Sequence, residues 1–116
     1  KRQIGLGIVP RGRLVGYHAG EYEGELLTRP FVLRAQRLFL NADAARGEVK
    51  AAVAHGTGRP VPGLGKADFI PVTTNGLDLP MTWRGYEQLD KLVGQRIRLC
   101  LSIRAGAVYG FRMGRL

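Results

Sequence analysis

The chain predicts an all-β protein, an antiparallel two-sheet β-sandwich of the jelly-roll kind with about eight or nine strands, and three observations carry that expectation. From Arg96 to Arg104, Ile97, Leu99, Leu101 and Ile103 occupy one face and Arg96, Arg98, Cys100, Ser102 and Arg104 the other. That period of two is the mark of a half-buried strand. Seventeen glycines and six prolines among 116 residues break the apolar stretches into short pieces, which favours turns over helices. The length suits one domain with one core between two sheets, residues 1–116.

Taken in order, Gln3 to Val9 is a first strand ended by Pro10 and Gly12, and Arg13 to Ala19 is a second. Gly20 to Gly24 makes a polar turn, and Glu25 to Thr28 begins a short strand that Pro30 interrupts. Phe31 to Ala35 and Leu38 to Ala42 follow, the second apolar enough to be central. Asp43 to Gly47 turns the chain into Glu48 to His55. Between Gly56 and Pro80, four prolines and five glycines deny regular ladder pairing over most of the stretch. Loops of this length in compact domains serve binding or pack as excursions. Leu79 to Trp83, a helical turn at Leu89 to Val93, Ile97 to Arg104 and a closing strand, Val108 to Met113, complete the chain. Tyr109, Phe111 and Met113 are expected to form a core stripe, and Trp83, sharing a face with Met81 and Leu79, is expected in the core.

The net charge of +9 raises a polyanion as partner, yet the fourteen arginines among eighteen cations are scattered without a run of five. Nucleic acid is therefore not the expected partner. A basic face built from Arg96, Arg98, Ser102 and Arg104 with Arg112 would suit an anionic glycan or phosphate, although outward arginines also keep an exposed sheet soluble. One cysteine, Cys100, rules out an internal disulfide and reads as a small packed hydrophobe. His18 and His55 are too far apart for a local metal motif. No apolar run approaches the roughly 18 residues of a membrane span, so no membrane association is expected. The chain opens on Lys1 rather than Met and enters strand-like sequence almost at once, as a piece of a longer multidomain protein would.

The segments "RLVGYHAGEYEGELLTRP" (Arg13 to Pro30), "RLFLNADAARGEVKAAV" (Arg37 to Val53), "GRPVPGL" (Gly58 to Leu64), "ADFIP" (Ala67 to Pro71) and the tail from Thr82 carry a resemblance in their order and spacing. Together they resemble a β-sandwich domain found beside the five-bladed propellers of sucrose- and fructan-cleaving enzymes of the glycoside hydrolase family 32 type, and in related uncharacterised bacterial proteins. The resemblance implies a concanavalin-like sandwich without catalysis of its own. It further implies that the domain accompanies a carbohydrate-active enzyme or binds a sugar, fructan-like chains among the ligands, in an extracellular or periplasmic place. The chain departs from the family's pattern at Tyr17-His18 and at Asp68-Phe69-Ile70, where relatives often carry an acidic residue and a Cys-Asp pair.

Sugar recognition needs aromatic faces for stacking, and Asn, Asp, Glu or Arg groups for hydroxyls, on loops held by a rigid scaffold. Those residue types fall at Glu21, Tyr22 and Glu23 in the glycine-bounded turn and at Asp68, Asn75, Arg84 and Tyr86 in and beyond the long excursion. Tyr86, after Gly85, is the expected exposed platform. Glu21, Glu23 and Glu25 would also suit Ca²⁺, or else form a solvated acidic edge; no other cofactor is expected. Exposed glutamates beside glycines lack the desolvation that a glycosidase acid requires, so no enzyme is expected. Three readings stay open: a carbohydrate-binding accessory module, a structural domain docking on a neighbouring catalytic domain or a copy of itself, and a basic polyanion-binding module.

Overall fold

A computed structural model describes residues 2–3, 17–19 and 24–114. The chain is all-β in two sheets. The strands are β1 (Arg2–Gln3), β2 (Tyr17–Ala19), β3 (Gly24–Leu27), β4 (Phe31–Val32), β5 (Arg37–Asp43), β6 (Glu48–His55), β7 (Asn75–Pro80), β8 (Arg96–Arg104) and β9 (Gly106–Gly114). A 3-10 turn at Lys66–Asp68 and a one-turn helix, α1 (Tyr86–Asp90), interrupt them.

β8 is the spine of the first sheet. β6 pairs with it from Glu48↔Arg104 to His55↔Ile97, while β3 and β4 share its other edge and β1 adds in parallel to β3. Pro30 has no N–H to extend the ladder between β3 and β4. Thr28 fills the gap: its buried hydroxyl accepts the Leu99 N–H at 2.9 Å and its own N–H donates to the Leu99 carbonyl at 2.9 Å. The second sheet runs β2-β9-β5-β7, so β5 is central, as its apolar run predicts.

Alternation places Ile97, Leu99, Leu101 and Ile103 in the core, each with no exposed surface. They join Leu26, Val49, Ala51 and Val53 from the first sheet and Leu38, Leu40, Ala42, Val108 and Phe111 from the second in a single cluster. Phe31 of β4 meets Phe111 of β9 across the sheets, with ring centroids 5.0 Å apart. Each fully buried aliphatic side chain here contributes about 1.5–3 kcal/mol of transfer free energy.

Two details differ from strict alternation. β8 and β9 are consecutive but belong to different sheets; the chain crosses at Ala105, whose φ of 49° is left-handed. Arg112 therefore stands on the other sheet from Arg96, Arg98 and Arg104 and cannot extend their face. It pairs instead with Asp78 (Nε to Oδ1, 2.6 Å), its guanidinium carbon 4.3 Å from the Phe39 ring centroid. The register also shifts between Asn41 and Ala42, where Gly110 and Val108 are the successive partners. This bulge puts Val108 in the core beside Phe111 and leaves Tyr109 only half-buried, so the expected stripe of Tyr109, Phe111 and Met113 is interrupted.

The other edge of β6 would be open without the long excursion. Val49 exchanges two 2.9 Å backbone hydrogen bonds with Val72, Val53 donates to Leu64 and accepts from Val61, and His55 donates to Arg59. The Ala51 carbonyl accepts the Trp83 indole N–H at 2.8 Å. Segment 56–83 thus covers an edge that would otherwise template pairing with another chain.

Candidate functional site

Trp83 anchors the region that carries three of the expected contact residues, Asp68, Arg84 and Tyr86. It is 1% exposed, and Phe69 meets it edge-on with centroids 5.0 Å apart. Residues 83 and 69 also form a backbone bridge, and Arg84 N–H donates to the Asp68 carbonyl at 2.7 Å. Gly85 then lies directly against Gly63; a β-carbon at residue 85 would collide with the Gly63 carbonyl oxygen, so glycine alone permits this approach. Helix α1 starts here, its first turn held by Tyr86 N–H to Trp83 O (3.2 Å) and Gln88 N–H to Gly85 O (2.8 Å).

That platform carries Tyr86, 48% exposed. Asp90 lies one turn further along the same helix face. Its Oδ1 holds Arg37 Nη1 at 3.1 Å, and the same nitrogen donates to the Gln36 carbonyl at 2.8 Å. The Arg37 guanidinium carbon stands 5.9 Å from the Tyr86 ring centroid, within cation–π range. An exposed phenol ring is therefore flanked by a guanidinium fixed by a carboxylate, all mounted on β5 and α1. The Arg84 guanidinium is exposed and has no ion pair or side-chain hydrogen bond among the described residues.

The expected residues are not gathered in one place. Asp68 and Arg84 adjoin and Tyr86 follows, but the Asp68 carboxylate is turned inward, accepting the Gly65 N–H at 3.2 Å. Asn75 is exposed at the start of β7, opposite Asp43, whereas Arg37 begins β5. Six strand steps of about 3.3 Å put Asn75 about 20 Å from the Arg37 end. Glu21, Tyr22 and Glu23 lie outside the described residues. Glu25, the third member of the acidic group considered for Ca²⁺, forms a 2.7 Å ion pair with Lys66. Among the described residues no three of His, Cys, Asp and Glu gather to hold a metal ion.

Arg37 and Asp90 were not among the expected contacts. Asp90 has a local signal, four residues after Tyr86 on a helical turn, whereas Arg37 reaches the site only because β5 begins beside α1. The expected basic face is divided too. Arg104 pairs with Glu48 at 3.5 Å, Arg98 donates to the Thr28 carbonyl at 3.2 Å, and Ser102 is buried. Burial works against the Glu48 charge, but hydrogen bonds and attraction from Lys50 first and Arg104 second lower its pKa below 4.5. No family model matches the chain, nor does any curated protein or solved structure.

Proposed function

We propose that this chain is a non-catalytic carbohydrate-binding or accessory module of a larger exported glycoside hydrolase or related protein, its two sheets stacked as a concanavalin-like jelly-roll sandwich. The shared core drawn from the inner faces of both sheets supports the architecture. The observation that carries the functional reading is the half-exposed Tyr86 ring beside the Arg37–Asp90 pair. A phenol face presented by a rigid scaffold stacks on the C–H face of a pyranose or furanose ring. Guanidinium and carboxylate groups fixed at its rim take paired hydroxyls, and the exposed Arg84, two residues before Tyr86, adds donors. The neighbouring catalytic domain of the parent chain is the proposed protein partner.

Calorimetric titration of the folded chain against a fructan, a neutral β-glucan and an acidic glycan, each at low and high salt, tests the reading. Saturable binding of a neutral glycan that is insensitive to salt is the expected result. Binding of the acidic glycan alone with steep salt dependence assigns the basic surface instead, and absence of binding to all three overturns carbohydrate recognition.

A further inference from the structure

Away from Tyr86, the long excursion crosses the outer face of the first sheet at one point. Lys66, at the start of the 3-10 turn, reaches Glu25 on β3, with Nζ 2.7 Å from Oε2. Between them lie small side chains, since Ala52 of β6 and Cys100 of β8 are registered partners. The Cys100 Sγ is 3.9 Å from the same Glu25 oxygen. An amine and a thiol from segments distant in sequence therefore converge on one carboxylate oxygen. The cluster is open to small solutes: the Lys66 and Glu25 side chains are 29% and 35% exposed, and Cys100 is half-buried.

A second observation marks the same row of the sheet. Ser102, two residues along the same face of β8 and directly opposite Glu25, is 3% exposed, and its hydroxyl has no hydrogen-bond partner. A buried unpaired hydroxyl costs about 1–3 kcal/mol, so its position beside the cluster marks a place where a further polar atom is accommodated.

We infer that Lys66 and Cys100 form a covalent nitrogen–oxygen–sulfur bridge under oxidising conditions, tying the excursion to β8. Dioxygen is the oxidant. One of its atoms becomes the bridge and the other leaves as water. The amine nitrogen and the thiol sulfur each lose two electrons, and those four electrons reduce both oxygen atoms. The ammonium gives up two protons and the thiol one; two of the three enter the water, and the third passes to the Glu25 carboxylate and on to solvent. Burial pulls the Lys66 pKa down, but Glu25 and Cys100 together raise it above 10.5. The amine therefore arrives protonated, with its proton acceptor already in contact. Cys100 is the only cysteine, so an internal disulfide is not available to it and the lysine amine is the partner in reach.

The test compares the whole folded chain held in air-saturated buffer with the same chain kept in dithiothreitol, by intact mass and tryptic mapping. The expected product gains one oxygen and loses two hydrogens, resists cleavage after Lys66, and yields a peptide in which Lys66 and Cys100 are joined. Reductant reverses all three changes, and the bridged form melts at a higher temperature. Lys66→Arg keeps the charge at Glu25 and abolishes the cross-link. A free thiol at Cys100 after prolonged aeration overturns the inference. So does oxidation to sulfinic acid or to an intermolecular disulfide with Lys66 still cleavable. The wild-type mass alone decides between these outcomes, whatever the stability of the variant.

Discussion

Trp83→Phe probes the join between the excursion and the sheet. Trp83 seals the edge of β6 through its 2.8 Å hydrogen bond to the Ala51 carbonyl and fills the space beside Phe69. Phenylalanine keeps the apolar contact but removes the donor, leaving a buried carbonyl unpaired at a cost of about 1–3 kcal/mol. The smaller ring also vacates about 40 Å³, worth about 1 kcal/mol at ~24 cal/mol per Å³. The sum is about 2–4 kcal/mol. At about 4 °C per kcal/mol for a domain of this size, the melting temperature falls by about 8–16 °C. Urea and thermal unfolding followed by far-ultraviolet circular dichroism measure the two quantities, because the variant has lost the only tryptophan. In the wild type, that single indole emits with the blue shift of an apolar site. A loss below about 1 kcal/mol, or water-exposed emission from the native wild type, refutes the seating of Trp83 and with it the covered edge.

Gly47→Ala places a β-carbon on the Arg104 carbonyl oxygen at the β5–β6 turn, where backbone must move. A loss of about 3 kcal/mol or more is expected in the same unfolding assay, and a neutral result contradicts the close approach. Arg112→Ala removes both the ion pair with Asp78 and the cover over Phe39, for about 1–2 kcal/mol, and Arg112→Lys recovers only part of it because ammonium neither stacks nor forks. The folded Lys66 pKa lies above the ordinary 10.5, so its contribution to stability is complete below pH 10.5 and is lost as the pH rises through the folded value. Partial exposure keeps that contribution small. Lys66→Met should flatten the alkaline limb of stability against pH, and an unchanged limb assigns it to other groups.

The strands were most legible where one face is apolar and the other polar. β8 and β6 follow directly from Ile97 to Ile103 and Glu48 to His55, because burial on one side imposes a period of two; the centrality of β5 follows instead from the nearly continuous apolar run Leu38 to Ala42, which is buried on both faces. The crossing at Ala105 was not legible, since a one-residue connection reads the same whether it joins neighbours in one sheet or strands in two. The bulge at Tyr109, opposite Asn41 and Ala42, hid Val108 for a similar reason: one extra residue reverses every facing prediction beyond it. The helical turn was expected at Leu89 to Val93 and forms at Tyr86–Asp90, with Leu89 inside it as the buried residue. Within the candidate site, the exposure of Tyr86 followed from its place after Gly85. The inward turn of Asp68 and the distance of Asn75 did not follow, because the first depends on how the proline-rich excursion folds at Gly65 and the second on the pairing of β7 with the far end of β5.

Binding by Tyr86→Ala, compared with wild type on whichever neutral glycan the titration panel identifies, tests the central claim most directly. The 48% exposed ring contributes little to packing, so melting temperature should change by only a few degrees, about 1 kcal/mol or less. Loss of one stacking platform should weaken affinity by about 10-fold or more, with Arg84→Ala weakening it less. Undiminished binding by a folded Tyr86→Ala variant would contradict the account and place any carbohydrate contact elsewhere on the domain.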